Sequence, residues 1–388
     1  MMKKVKHIGL IGLIGLIGLI GLIGLTSCAK KAQTAVPERE GTYNAQFFAL
    51  DDERDTTLNG VEYHFTELVV YNPWEEGRPV LQRYYLYKEP NTPLPKDGLH
   101  VQVPVKRIAT GSCTHVGFLN ALNALNSICA VTDKHLVYTP LRDEVINLGD
   151  CISPDVERFV AAAPDVVFMS AYGTNDAATM RLQKAGLTVV PVMEWVENDP
   201  LGRAEWVRFF GAFLDRMEEA DELYTKIEEH YIGLSELVEW SNNAFTKSIL
   251  SGGSFRGTWY VPSGATYMGR LFHDAGAKYA YADDQTNGSV PLGIEQVLQS
   301  FRDADVWVGA PATTMEELRE MDGKHTWFKA YETGNVYTFK ARMTPTGGND
   351  FWEGGVTEPD IILQDLIFVL YPDMMPEGYE PKYLKKLR

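Results

Sequence analysis

Residues 206–240 read WVRFFGAFLDRMEEADELYTKIEEHYIGLSELVEW, and the spacing of their apolar side chains decides the fold. Trp206, Phe210 and Phe213 recur at helical spacing, and Met217, Ala220, Tyr224, Ile227, Tyr231, Leu234 and Val238 continue the stripe in steps of three and four. That alternation marks an amphipathic helix. Asp215 followed by Glu218 has the form of a capping box that starts a fresh helix. A helix over residues 216–240 would be roughly 37 Å long at 1.5 Å per residue. Placed between two α/β patterns, a helix of that length reads as a strut.

The patterns on either side of it alternate strand and helix. Upstream, Lys106–Thr110 reads as a strand, Val116–Leu125 as a helix after a Gly111-Ser112 turn, and Ser127–Val131 as a second strand. Pro154–Ala163 is helical, and Asp165–Met169 is an apolar run without alternation, as buried parallel strands are. A helix to Gly186 and the strand Leu187–Met193 complete one α/β lobe over residues 105–200, followed by an interlobe helical segment over 201–245. Downstream, over 246–388, the strand Lys247–Leu250, the helices Tyr267–Ala275 and Ile294–Phe301, the strands Asp305–Val308 and Val336–Phe339 and the helix Ile361–Leu370 build a second lobe. The halves echo each other. Val156–Val160 before Asp165–Phe168 is matched by Ile294–Leu298 before Asp305–Val308, with a spacing that differs by two residues. Ahead of both lobes, residues 43–104 hold two β-rich runs, 61–71 and 80–88, around Asn72-Pro73-Trp74-Glu75-Glu76-Gly77-Arg78-Pro79, which signals a β-hairpin extension.

The N-terminus is of another kind. Lys3, Lys4 and Lys6 precede an uncharged run from Ile8 to Leu25, the layout of a secretory signal over residues 1–27. Leu25-Thr26-Ser27-Cys28 is similar to the bacterial lipobox, which makes Cys28 the expected lipidation site and the cell envelope, facing the periplasm, the expected location. Acyl chains on that cysteine would hold the protein at a membrane surface, with residues 28–42, small and polar, as the tether. Loss of the signal removes three lysines and takes the formal charge from −16 to −19, which argues against nucleic acid as a partner. The chain has 388 residues, 45% of them apolar, enough for two buried cores. Beyond Cys28 stand Cys113, Cys129 and Cys151, an odd set that permits at most one disulfide and matches no zinc spacing.

The paired segments resemble the substrate-binding proteins of the iron-chelate and cobalamin ABC importers. Their first-lobe pattern N-x-E-x-I-x-x-L-x-P-D-L-V is similar to Asp155–Val167, and the second-lobe counterpart is similar to Pro291–Leu298. Arg107-Ile108-Ala109-Thr110 opens the first lobe as the family's R-I-V-x-L does. The resemblance spans roughly residues 105–371. It implies an α/β fold of two Rossmann-like lobes joined by a single long α-helix, with the ligand in the cleft between them. It implies an iron–siderophore-type chelate as ligand, with a corrinoid or haem as the alternative. It also implies an ABC permease and its ATPase as partners of a monomer, and no cofactor. Glu157 and Glu295 would dock onto the permease, one from each lobe. Each also sits in the first turn of a helix, where the dipole alone favours an acid.

In an open α/β sheet, ligands lie beyond the carboxyl ends of the strands. That rule selects Ser112, His115, Tyr138, Tyr172 and Trp195 in the first lobe, and Arg256, Trp259, Tyr260, Arg342, Asn349 and Trp352 in the second. Aromatic loop residues beside arginines and amides suit a large ligand with flat faces and peripheral oxygens. Trp259 and Trp352 stand out because each follows glycine in its loop. The enzyme alternative rests on Cys113 and His115 as nucleophile and base, with no third group to orient them. No G-x-S-x-G, P-loop or dinucleotide fingerprint accompanies them, and the eight histidines show no helical metal-ligand spacing.

Overall fold

The computed structural model describes residues 44–388 apart from Asn175 and Asn242. The signal segment 1–27, Cys28 and the tether 28–42 lie outside the described residues. Among the described residues, no helix is long and apolar enough to cross a membrane.

The expected hairpin is present, as the middle of a larger sheet. Strands Phe48–Leu58, Val61–Tyr71, Val80–Tyr87 and Leu99–Gln102 neighbour one another in that order, the first three antiparallel and the last parallel. Asn59-Gly60 joins the first two with positive φ at both positions (53° and 81°), the turn that matches the twist of paired strands. The Asp51-Asp52-Glu53-Arg54-Asp55 run hides the first strand from a hydrophobicity reading. It is accommodated by a register shift between Asp51 and Arg54, which lets Arg54 join Arg83 on the buried carboxylate of Glu67. Phe48 packs its ring edge against Trp206 at 4.9 Å and Phe209 at 5.7 Å. Tyr84 donates its hydroxyl to the carbonyl of Val189 at 3.1 Å. The sheet is thereby fastened to the strand Val189–Val192 and to a helix that follows it.

Val189–Val192 belongs to a five-stranded parallel sheet in the order Ile146–Asn147, Ile128–Val131, Ile108–Thr110, Val166–Ser170, Val189–Val192. Its central strands are buried throughout, and mostly apolar, because both faces are covered, as parallel sheets require. The aromatic half of the opening sequence forms its own helix, Trp206–Leu214, whose Phe209, Phe210 and Phe213 close around Phe168 at 6.2, 4.7 and 5.2 Å.

The long helix spans Met217–Glu239. Its start differs from the capping-box expectation. Asp215 takes the left-handed conformation (φ 56°) as the C-cap of the preceding helix, and its carboxylate pairs with Lys88 at 2.7 Å. Arg216 is the N-cap and makes no side-chain capping bond. Tyr224, Ile227, Tyr231, Leu234 and Val238 form the buried stripe. The helix packs on Trp206–Leu214 and on the closing helix Pro359–Leu370, where His230 Nδ1 lies 2.6 Å from Asp360 Oδ2.

The downstream half is more broken than its sequence implies. Ile249–Ser251 and Val306–Val308 pair in parallel, and Trp307 bridges to Val336. A separate antiparallel sheet holds Ser254–Phe255, Thr258–Pro262 and Ser289–Leu292. Tyr337–Thr338 pairs with Lys385–Lys386 near the C-terminus. The helices Tyr267–Asp274 and Ile294–Phe301 fall where the pattern puts them.

Candidate functional site

Beyond the strand Val189–Val192 the chain makes a 3₁₀ turn, Glu194–Val196, that sorts side chains by period. Residues three apart eclipse in such a turn, and Glu194 and Glu197 both go inward, each 1% exposed. Glu194 accepts from the hydroxyl of Thr114 at 2.6 Å. Glu197 accepts from the backbone N–H groups of Gln46 (2.8 Å) and Phe47 (3.1 Å) and from Trp206 Nε1 (3.1 Å). Burial pushes its carboxyl up to about 8 against the pull of those donors. Trp195 turns outward, 40% exposed, with the ring of Tyr172 at 5.3 Å.

Trp195 is one wall of a cavity of about 540 Å³. Further lining comes from the downstream half: Ser251-Gly252 at the end of the strand Ile249–Ser251, Thr266–Met268 at the start of a helix, Asn287–Ser289, and the aromatics Phe339, Phe351 and Trp352. Phe339 and Phe351 stack at 4.1 Å with planes 11° apart, and Trp352 meets Phe351 edge-on at 4.7 Å. Gly252 and Gly309 let the strand ends close in. Each has positive φ, and a Cβ would come within 2.6 Å of the Tyr260 carbonyl oxygen or 2.7 Å of the Phe339 ring. None of the described residues that line it is Lys, Arg or His, and the carboxylate of Glu197 is spent on backbone donors. The size suits a small-molecule site, apolar with a few amides and hydroxyls.

Residues 108–343, well over half of the chain, match the family model described as "Periplasmic binding protein". This chain belongs to the periplasmic binding protein family. It is 25% identical over 288 residues to an uncharacterised lipoprotein of Methanocaldococcus jannaschii, covering 70% of this chain and 67% of that one. Its fold is similar to a periplasmic heme-binding protein from Pseudomonas aeruginosa (TM-score 0.56, 15% identity, 73% of this chain and 98% of that). It is also similar to the triscatecholate siderophore-binding protein from Bacillus subtilis complexed with ferri-bacillibactin (TM-score 0.53, 15% identity, 70% and 94%). At these identities the likeness is one of fold.

Of the ligand contacts expected in this binding protein, Trp195 and Trp352 line the cavity and Tyr172 stands beside Trp195. The others do different work. Trp259 is 1% exposed, packed among Trp307, His325 and Phe328, with Nε1 donating to the Ser251 carbonyl at 2.9 Å. Alternation along Thr258–Pro262 sends Trp259 and Val261 inward and leaves Tyr260 outside, 45% exposed. Arg256 occupies the tight turn of that hairpin with φ 51° and lies over Phe255. Arg342 is held by Asp350 at 2.6 Å and sits over the ring of Tyr138 at 5.3 Å, while the Tyr138 N–H donates to Glu353. Ser112 and Asn349 are helix N-caps, accepting from Thr114 N and Phe351 N. Capping residues favour the same strand-to-helix turns that ligand loops do.

His115 is fully buried, with the ring of Phe210 at 5.9 Å and that of Phe168 at 6.5 Å, and burial holds its imidazole below the ordinary value. Burial, reinforced by Glu353 and Glu194, pushes the Cys113 thiol up to about 11. A thiol so held is protonated at neutral pH and is no nucleophile. Cys113, Cys129 and Cys151 all stand as free thiols. The family is one of binding proteins, and the enzyme alternative has no geometry behind it. Glu157 and Glu295 are exposed in the first turns of their helices.

The strand-end rule missed Trp74, Glu197, Tyr267, Met268 and Phe339, all of which line the cavity. A tryptophan in the long turn between two strands was the legible signal among them.

Proposed function

We propose that this protein is the ligand-capturing component of an ABC importer, and that it takes a metal chelate into the cavity between Trp195 and Trp352 for delivery to a permease. The observation that carries this reading is an aromatic cavity built from both halves of the chain, with no cationic side chain among the described residues that line it. That lining also favours one of the chelates weighed from the sequence. An iron–siderophore of the catecholate type is strongly anionic, and binding it without Lys or Arg would leave buried negative charge uncompensated. Haem brings propionates with the same need. A corrinoid ring is flat, carries little net charge and is fringed with amides, which Asn198, Asn287, Thr266 and Ser289 can meet as hydrogen-bond partners.

In this reading the halves flanking Met217–Glu239 act as two lobes joined by that helix, and the cavity is their cleft. Glu157 and Glu295 meet the permease from one lobe each. The protein works as a monomer in the cell envelope, anchored at Cys28 and facing the periplasm. Family membership and the lipoprotein relative support that setting. Native mass spectrometry of protein purified from its host tests the proposal. Retention of a cobalt corrinoid supports it, whereas a bound ferric siderophore keeps the importer role and overturns the ligand choice. Recovery with a non-chelate ligand overturns both.

A further inference from the structure

We infer that Trp74, carried by the N-terminal sheet outside the family-matched segment, is a ligand-contacting and specificity-determining wall of the cavity. The inference rests on the reading of that cavity as the ligand site.

The matched segment begins at Ile108, yet Trp74 lines the cavity together with Trp195 and Trp352. Its position is built. Asn72, 2% exposed, accepts from the Trp74 N–H at 3.0 Å and donates through Nδ2 to Glu75 at 2.9 Å and to Thr174 Oγ1 at 3.1 Å. The Asn72 N–H closes the loop on the Pro79 carbonyl at 2.8 Å. Thr174 follows Tyr172, whose ring lies 5.3 Å from that of Trp195, so the loop bearing Trp74 is tied to the loop bearing Tyr172. A second fastening is the carboxylate of Glu197, two residues beyond Trp195, which holds the start of the sheet by Gln46 and Phe47. A buried asparagine whose amide is satisfied at both ends makes the loop it holds rigid. What the loop presents is a tryptophan, 36% exposed, that lines the cavity. A third tryptophan in a lining that already holds Trp195 and Trp352 favours flat, unsaturated faces.

The test is equilibrium titration of the purified protein with cyanocobalamin, haemin and a ferric tris-catecholate, comparing the parent with Trp74→Ala, Trp74→Phe and Trp352→Ala. For whichever probe the parent binds, Trp74→Ala is expected to weaken binding by roughly 10-fold or more, Trp74→Phe to keep most of the affinity, and both to melt with the parent. Parent-like binding by Trp74→Ala, with Trp352→Ala impaired, overturns the role of Trp74 and leaves the cavity reading standing. So does a Trp74→Ala protein that loses binding and melts early while Trp74→Phe restores both, because that marks a packing role. A parent that binds none of the three, or a Trp352→Ala variant as tight as the parent, removes the cavity reading and this inference with it.

Discussion

Truncating Trp259 to alanine should unfold this protein more easily without acting on the ligand directly. The indole is 1% exposed and meets Trp307 at 5.3 Å, Phe328 at 5.6 Å and His325 at 5.7 Å. Removing so large a buried aromatic costs about 3–5 kcal/mol, through lost transfer energy and the cavity left behind. The Ser251 carbonyl would also lose the 2.9 Å hydrogen bond from Nε1, and an orphaned buried acceptor costs about 1–3 kcal/mol, part of which overlaps the first figure. Trp352, 47% exposed, should cost less than about 1 kcal/mol of stability when truncated. Urea unfolding followed by circular dichroism measures the difference. Trp259→Ala should lower the midpoint sharply with the slope kept, and Trp352→Ala should leave it nearly in place. A Trp259→Ala protein that unfolds with the parent yet has lost its ligand would refute the reasoning, since the ring would then face the cleft.

Glu157→Ala and Glu295→Ala should each leave ligand affinity near that of the parent and impair uptake in whole cells, the double variant more than either single, because rim charges act on encounter and orientation. Loss of ligand binding in a single variant would make these glutamates part of the fold. Cys28→Ser should abolish metabolic labelling with fatty acid, and continued labelling would move the anchor elsewhere. Burial holds the imidazole of His115 below its ordinary value of 6.5, so the unfolded chain takes up a proton there before the folded one does. Its contribution to stability is therefore complete above that value and is lost as pH falls through and below it. His115→Leu should flatten this acid limb in unfolding measurements between pH 7 and pH 5, and an unchanged limb would assign the loss to other groups.

The fold was legible wherever a period was long or a strand was wholly buried. The stripe from Ala220 to Val238 announced the long helix, and the apolar run at Val166–Met169 announced a central parallel strand. Phe48–Leu58 was hidden because its solvent face carries an acidic run, so tertiary pairing overrode local composition. The capping box failed at Asp215 because the left-handed residue that ends one helix cannot also cap the next. At the site, loop position was readable and side-chain direction was not. Trp195 and Trp352 reach the cavity, while Trp259 and His115 turn inward from neighbouring elements. Arg256 and Arg342 were selected by their loop positions beyond the strand ends. Their partners, Asp350 for Arg342 and the Phe255 ring for Arg256, are local pairings that no spacing rule separates from a binding role.

Calorimetric titration with cyanocobalamin and a ferric tris-catecholate at low and high ionic strength tests the central claim most directly. An aromatic cavity without cationic side chains predicts tighter binding of cyanocobalamin, with an affinity nearly unchanged between ~0.01 M and ~0.5 M salt, since no long-range charge attraction is there to be screened. Tighter binding of the ferric tris-catecholate, falling steeply as salt rises, would contradict it.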